Sequence, residues 1–414
     1  MQSPLRTAAA GLIGNVLEWF DYAVYGYFST EIGRQFFPAS MSVYDKSLFT
    51  FAIFWLGFAA RPIGGLVLGT VGDRIGRRAL LTLSIGLMGG ATLAIGLLPT
   101  YQTIGIAAPL LLVAMRLIQG FSLGGEFTGS MVYTTELASP VLRGIIASST
   151  AAGTTLGFIL GSLTAYLVNR TLGHEAAADW GWRIPFIGSV LFCIVGFLLR
   201  SGIHESEQGQ KAAAKQVAIV RSLIHDWKPI VQTFGIVAMT NAAYYLAFTF
   251  AVERRKSEDT AFQLVNTISL CVVLVFKVVG GWISDRVGRR RLMITLTLVL
   301  MATIYFGQRF MLYGDPAAFM VGQLMLGIPL AMALGLQGAM VVEIFPLRTR
   351  VTSMSFAYSI TLALAGGLAP IVATWLIDRV GSPMAPAFYV IAYGVLGLPI
   401  MLRMGETNQR SLDE

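Results

Sequence analysis

GTVGDRIGRR at 69–78 and GWISDRVGRR at 281–290 share the pattern G-x-x-x-D-R-x-G-R-R. Their aspartates, Asp73 and Asp285, lie about half a chain apart, and a pattern repeated at half-length implies two similar halves. A long apolar run precedes each copy and another follows it. An Asp with three Arg does not sit in hydrocarbon, so each copy reads as a short water-side turn between two membrane helices.

Composition agrees. Apolar residues make up 55% of the 414 residues and charged residues 13%, where a soluble domain carries about 25% charged residues. Mean hydropathy is +0.68. Recurring apolar runs of about 20 residues are the length of a membrane helix. Inside a bilayer each span must satisfy its own backbone, so helices are expected. The 45 glycines fit, because membrane helices pack through small residues.

Twelve spans are predicted, at 8–30, 48–70, 79–98, 105–134, 144–168, 183–201, 229–251, 262–283, 292–312, 316–341, 352–377 and 385–403. The first lacks a small-residue cleavage site after a short apolar core and reads as a retained helix. The fold class is therefore an all-α membrane protein of two pseudo-symmetric six-helix bundles. Its predicted domains are 1–201, a linker at 202–228 and 229–414. The linker is the only long polar stretch, with His204, Glu205, Glu207 and Lys211. A second echo supports the division: Glu136 stands seven residues before Arg143, and Glu343 seven before Arg350, at nearly the same offset.

Lys and Arg cluster on one side, at the two turns and at Arg143, Lys211, Lys215, Arg221, Lys228, Arg348 and Arg350. The positive-inside bias makes that side cytoplasmic, with both termini on it. It also accounts for the net charge of +8 without nucleic acid. The worst exception is ERRKSED at 253–259, in an outward loop. Cys193 and Cys271 fall inside apolar spans as small hydrophobes. No metal or disulfide spacing exists, and the three His are scattered. There is no Gly-Lys dipeptide, hence no phosphate-binding loop and no expected ATP use. No cofactor and no catalytic constellation is expected, so an enzyme is not.

Six charged residues fall inside predicted spans away from their ends: Glu18, Asp21, Arg61, Arg116, Glu126 and Lys277. Each costs about 2.5–3.5 kcal/mol at a helix centre on insertion scales, which makes it a functional candidate. Glu18, Asp21, Tyr22 and Tyr25 share one helical face. That acid stripe reads as a proton-carrying site facing a central cavity, or as a static ion pair between helices. Arg116 supplies a fixed positive charge that would tune a nearby carboxylate. Glu126 reads as structural. Arg61, before Pro62, would satisfy a freed carbonyl or bind a substrate carboxylate. Lys277 lies eight residues before Asp285, about 12 Å along a helix. It would snorkel to the cytoplasmic face or face the cavity as an anion-selecting cation. Asn241 and Tyr245 share a face, and with Tyr244 and Tyr25 would offer aromatic walls to an ammonium group. Asp73, Arg74, Arg77, Arg78, Asp285, Arg286, Arg289 and Arg290 read as a cytoplasmic gate, joined by Glu136, Arg143, Glu343 and Arg350.

These motifs resemble the major facilitator superfamily, which is built of two six-helix halves with a D-R-x-G-R-R turn after the second and eighth helices. GNVLEWFDYAVYGYF at 14–28, RPIGG at 61–65, RLIQGFSLGGEFTG at 116–129 and WGWRIPF at 180–186 are similar to its metabolite:proton symporter branch. TNAAYYLAFTF at 240–250 is similar to the proline/betaine transporters of that branch. The resemblance implies a monomeric inner-membrane symporter working by alternating access, with Glu18, Asp21 and Arg116 in proton coupling. Its expected partners are a small polar solute and a proton: a zwitterion such as proline or betaine, or alternatively a carboxylate such as 2-oxoglutarate, citrate or shikimate. A sensor without flux is a third reading.

Overall fold

The protein was analysed as a computed structural model. It describes every residue except 1–3, 76, 202–218, 256–258, 348, 409, 411, 413 and 414. Within its helices it leaves undescribed the side chains of 4–14, 17, 69–75, 77–82, 85, 137, 192, 193, 195–201 and 219–221.

Twelve long helices carry the fold. In the first half these are α1 (Pro4–Tyr27), α2 (Val43–Ile75), α3 (Arg77–Leu97), α4 (Ala107–Ser122 and Glu126–Leu137), α5 (Arg143–Ala176) and α6 (Arg183–Ser201). In the second half they are α7 (Trp227–Tyr245, Leu246–Phe250 and Ala251–Arg255), α8 (Ala261–Val287), α9 (Arg289–Tyr313) and α10 (Pro316–Ile344). They end with α11 (Arg350–Thr361, Leu362–Gly367 and Ala369–Val380) and α12 (Ala385–Arg403). Among the described residues nine are long and apolar enough to cross a membrane; α1, α3 and α6 include undescribed side chains. The polar linker contributes one short described helix, Ile219–His225.

Packing repeats at half-length. The pairs α1–α5, α2–α4 and α3–α6 recur as α7–α11, α8–α10 and α9–α12. Glycine permits the tightest crossings. A Cβ on Gly120 of α4 would stand 1.9 Å from the Gly57 carbonyl of α2. A Cβ on Gly335 of α10 would stand 1.9 Å from the Lys277 carbonyl of α8. The halves meet through α5 against α8 and α10, and through α2 against α11.

Three spans are less regular than their hydropathy predicts. The fourth, expected continuous over 105–134, breaks between Ser122 and Glu126, and Glu126 opens the second piece. An acid in the first turn of that piece complements the positive end of its helix dipole. The seventh and eleventh each contain a wide, π-helical stretch, Leu246–Phe250 and Leu362–Gly367. Backbone widening leaves no trace in a hydropathy run, because the residues remain apolar.

Candidate functional site

The first-half acids sit between α1, α2, α3 and α4. Glu18 is 1% exposed and forms a salt bridge with Arg61 Nη2 of α2. The Arg61 guanidinium lies 5.5 Å from the Trp19 ring centre. It therefore does not satisfy a carbonyl freed by Pro62, because an acid across the helix boundary attracts it more strongly. One turn on, Asp21 faces a different neighbour. Thr92 Oγ1 of α3 stands 2.5 Å from Asp21 Oδ2 and accepts from Gln119 Nε2 at 2.7 Å. Gln119 Oε1 in turn accepts from Arg116 Nη1 at 2.8 Å. Asp21, Thr92, Gln119 and Arg116 thus form one buried chain. The Arg116 guanidinium stacks 4.4 Å from Tyr25 and 4.8 Å from Tyr22.

The stripe read from the sequence therefore splits. Tyr25 stacks on Phe54 and reaches the Thr50 carbonyl at 3.3 Å, within the first half. Tyr25 and Arg61 are absent from the lining of the central cavity.

That cavity lies where the halves meet. Trp19, Thr154 and Phe158 line it from the first half, and Asn241, Tyr244, Tyr245, Lys277, Gln337 and Tyr358 from the second. Its volume is about 30 Å³, room for one or a few waters. Lys277 does not snorkel: it is 2% exposed and donates to the Ala151 carbonyl and Thr154 Oγ1 of α5, both at 3.0 Å. Burial among α5, α8 and α10 leaves its stem no path to either surface. Thr240 donates to Gln337 Oε1 at 2.9 Å, and Gln337 Nε2 donates to Tyr358 Oη at 3.1 Å. These bonds fix the polar wall opposite Trp19.

Both ends of the cavity are closed by contacts between halves. On the face of the D-R-x-G-R-R turns, Asp285 accepts from Gly144 N at 2.7 Å and Ile145 N at 3.0 Å, the free amides opening α5. Within the second half, Arg289 ties two acids together, reaching Asp285 at 3.1 Å and Glu343 at 2.6 Å. Arg143 pairs with Glu343 at 3.2 Å, and Arg350 with Glu136 at 2.7 Å. Arg286 and Arg290 take no part in these cross-half pairs. Arg286 lies 3.6 Å over Trp282, and Arg290 reaches the Met401 carbonyl at the end of α12. Each of these partners lies in its own half. Asp73, Arg74, Arg77 and Arg78 have side chains outside the described residues.

On the opposite face, Tyr27 Oη donates to the Phe248 carbonyl at 2.8 Å, and Asn266 Nδ2 donates to Tyr27 Oη at 3.0 Å. Glu253 accepts from Thr30 N at 2.6 Å. Arg255 caps the last carbonyls of α9, with bonds to Met311, Leu312 and Gly314 at 3.1, 2.6 and 2.8 Å. Glu253 and Arg255 of ERRKSED thus have structural partners, while 256–258 lie outside the described residues. Sequence reasoning missed Thr92, Gln119, Tyr27, Asn266, Gln337 and Tyr358. Gln119 carried a signal, as it faces Arg116 three residues on in the same helix.

The chain is similar to known proteins. A family model described as "Sugar (and other) transporter" matches residues 7–223, and one described as "Major Facilitator Superfamily" matches 233–412. The chain belongs to the major facilitator superfamily, a family of multi-pass membrane transporters. It is 33% identical to a proline/betaine transporter of Salmonella typhimurium, over 98% of this chain and 84% of that one. It is 35% identical to a citrate-proton symporter of Klebsiella pneumoniae, over 93% of this chain and 88% of that one. A solved D-xylose-proton symporter superposes with a TM-score of 0.78 at 20% identity, covering 99% of this chain and 100% of that one. That likeness carries the fold alone.

Proposed function

We propose that the protein is a proton-coupled secondary transporter that imports a small zwitterionic solute, such as proline or betaine, by alternating access. The observation that carries the reading is the buried acid–base set of α1, beside a cavity closed at both ends by contacts between halves. An acid at mid-membrane depth that can gain or lose a proton, next to a site that two halves share, is what coupling requires. No cofactor is needed; the proton gradient supplies the energy.

Asp21 is the better placed of the two acids to carry the proton. Thr92 has one hydroxyl hydrogen and two acceptors, Asp21 Oδ2 at 2.5 Å and the Met88 carbonyl at 2.9 Å. An ionised Asp21 takes that hydrogen. A protonated Asp21 donates instead, and Thr92 turns its hydrogen to Met88. Gln119 passes the change to Arg116. Glu18, held by Arg61, serves as the fixed partner.

Residues 1–201 and 229–414 rock as two bodies around the cavity, joined by 202–228. The D-R-x-G-R-R face is cytoplasmic, as its arginines require. There Asp285, Arg289, Glu136, Arg143, Glu343 and Arg350 are the gate, and it works within one protomer. One net charge moving inward through 100 mV gains about 2.3 kcal/mol. For a zwitterion with one proton that is roughly fiftyfold accumulation. A dianion with one proton would move against the potential and need more protons. The carboxylate reading keeps support from Lys277 in the cavity and from the citrate-proton relative.

Proteoliposomes loaded at high internal pH and supplied with labelled proline or betaine test the proposal. Uptake abolished by a protonophore is expected. Uptake that a protonophore leaves unchanged would rule out symport.

A further inference from the structure

Five described charged side chains are both buried and well inside the long helices: Glu18, Asp21, Arg61, Arg116 and Lys277. Two are acids and three are bases. Glu18 is matched to Arg61, and Asp21 is joined to Arg116 through Thr92 and Gln119. Lys277 is the remaining cation. Among the described residues no acid pairs with it; its bonds go to neutral oxygens, the Ala151 carbonyl and Thr154 Oγ1. An ammonium has three hydrogens and these bonds place two of them. Its Nζ also lies 5.3 Å from the centre of the Tyr244 ring, on the cavity wall. A buried charge without a counter-ion is costly, and the cavity is where one can arrive.

The rest of the lining offers no second ion. Trp19, Phe158, Tyr244, Tyr245 and Tyr358 place aromatic rings on the wall, and an aromatic ring can attract a cation without an acid. Tyr245 Oη and Trp19 Nε1 are buried with no hydrogen-bond partner among the described residues. The chemistry of the wall is therefore one point for a carboxylate and an aromatic surface for an alkylated ammonium. A second carboxylate on the solute would meet rings and neutral polar groups, with no second cation among the described lining residues to hold it.

Resting on the symport reading above, we infer that Lys277 holds the solute's single carboxylate, which displaces the Ala151 carbonyl and Thr154 as its partners. Lys277 stands on α8 in the second half, and both displaced partners stand on α5 in the first. Carboxylate capture thus cuts a tie between the halves while it binds the solute. That selects one-carboxylate zwitterions over dicarboxylates, and it links occupancy of the site to freedom of the halves to move.

The test compares glycine betaine, which has the carboxylate, with choline, which lacks it, and with 2-oxoglutarate, which has two. Proton-driven betaine uptake is measured in proteoliposomes of the full chain, with the other two as competitors. In the unaltered protein betaine should be taken up and both competitors should be weak. Lys277→Met should raise KM for betaine by roughly ten- to hundredfold, the worth of a charged hydrogen bond, and remove the preference for betaine over choline. Lys277→Arg should keep that preference. Thr154→Val should lower KM for betaine by roughly threefold, because it removes a resting competitor for the ammonium; a purely structural Thr154 would raise it. Betaine uptake by the unaltered protein with the same KM and the same choline exclusion in Lys277→Met would overturn the inference alone. Potent inhibition by 2-oxoglutarate would also overturn it. Absence of proton-driven uptake of betaine and of proline by the unaltered protein would overturn the underlying symport reading.

Discussion

Glu136 at the end of α4 accepts from Arg350 at the start of α11 with an O···N distance of 2.7 Å. The reciprocal pair, Arg143 with Glu343, stands at 3.2 Å. Each half supplies one acid and one arginine, and each acid takes the arginine of the other half. The two pairs are equivalent by the repeat but not in environment. The Glu136 side chain is 39% exposed, whereas Glu343 is fully buried and also takes Arg289. Glu343→Gln should therefore open the turn-bearing face far more than Glu136→Gln. Labelling of a cysteine placed in the cavity, from the turn-bearing side, would measure this. A rise of more than tenfold is expected for Glu343→Gln, given about 3–5 kcal/mol for breaking a buried pair. A change of no more than a few fold is expected for Glu136→Gln.

Asp21→Asn should abolish proton-driven accumulation while solute exchange across equilibrated membranes persists. Thr92→Val should act in the same direction but partially, because Asp21 keeps its carboxyl and loses only the hydroxyl that responds to it. Uptake against a gradient and counterflow, run side by side, check both. Full accumulation in Asp21→Asn would move the proton elsewhere, to Glu18 first.

Gly144 of α5 and Gly281 of α8 face each other across the halves. A Cβ on Gly281 would stand 2.5 Å from the Gly144 carbonyl, and a Cβ on Gly144 would stand 2.6 Å from the Gly281 carbonyl. Both obstacles are backbone. Gly281→Val should therefore prevent closure of this face and hold the protein open toward the turns. Fluorescence distances between labels on the turn-bearing ends of α5 and α8 should lengthen by several ångströms and stop responding to solute.

Glu406 follows α12, outside the spans. Burial pushes its carboxyl upward, but the amides of Asn408, Arg290, Arg289 and Thr407 outweigh this and hold it below 4.5. Its folded-state value is thus below its unfolded one, so its contribution is present above about pH 4.5 and lost as pH falls through the folded value. Thermal unfolding of Glu406→Gln should match the unaltered protein at low pH and fall below it near neutrality.

The helical plan was legible because it rests on signals local to the chain. Apolar runs of the right length and charged turns between them mark spans regardless of packing. Asn241, Tyr244, Tyr245 and Lys277, candidates by their polar or ring-bearing faces, line the cavity, although for Lys277 the sequence also allowed snorkelling to the surface. The division of the α1 stripe was not. Period 3.6 says that Glu18, Asp21 and Tyr25 point roughly alike. Which of them meets α2 and which meets α3, and that Trp19 rather than any of them lines the cavity, depends on helix rotation and crossing, which periodicity does not encode. Thr92 and Gln119 stayed hidden for the same reason: a lone Thr in an apolar run looks like any other until a carboxylate from another helix stands against it.

The wide stretch Leu246–Phe250 in α7 separates Tyr245, on the cavity wall, from Glu253, which holds Thr30 on the face opposite the D-R-x-G-R-R turns. A helix advances about 100° per residue, so tightening that stretch by one residue would swing the far end of α7 through about that angle. Such a turn would carry Glu253 away from Thr30 while Trp227–Tyr245 stayed in place. A door on that face would then hang on a pivot of backbone winding, with the cavity wall as its fixed post.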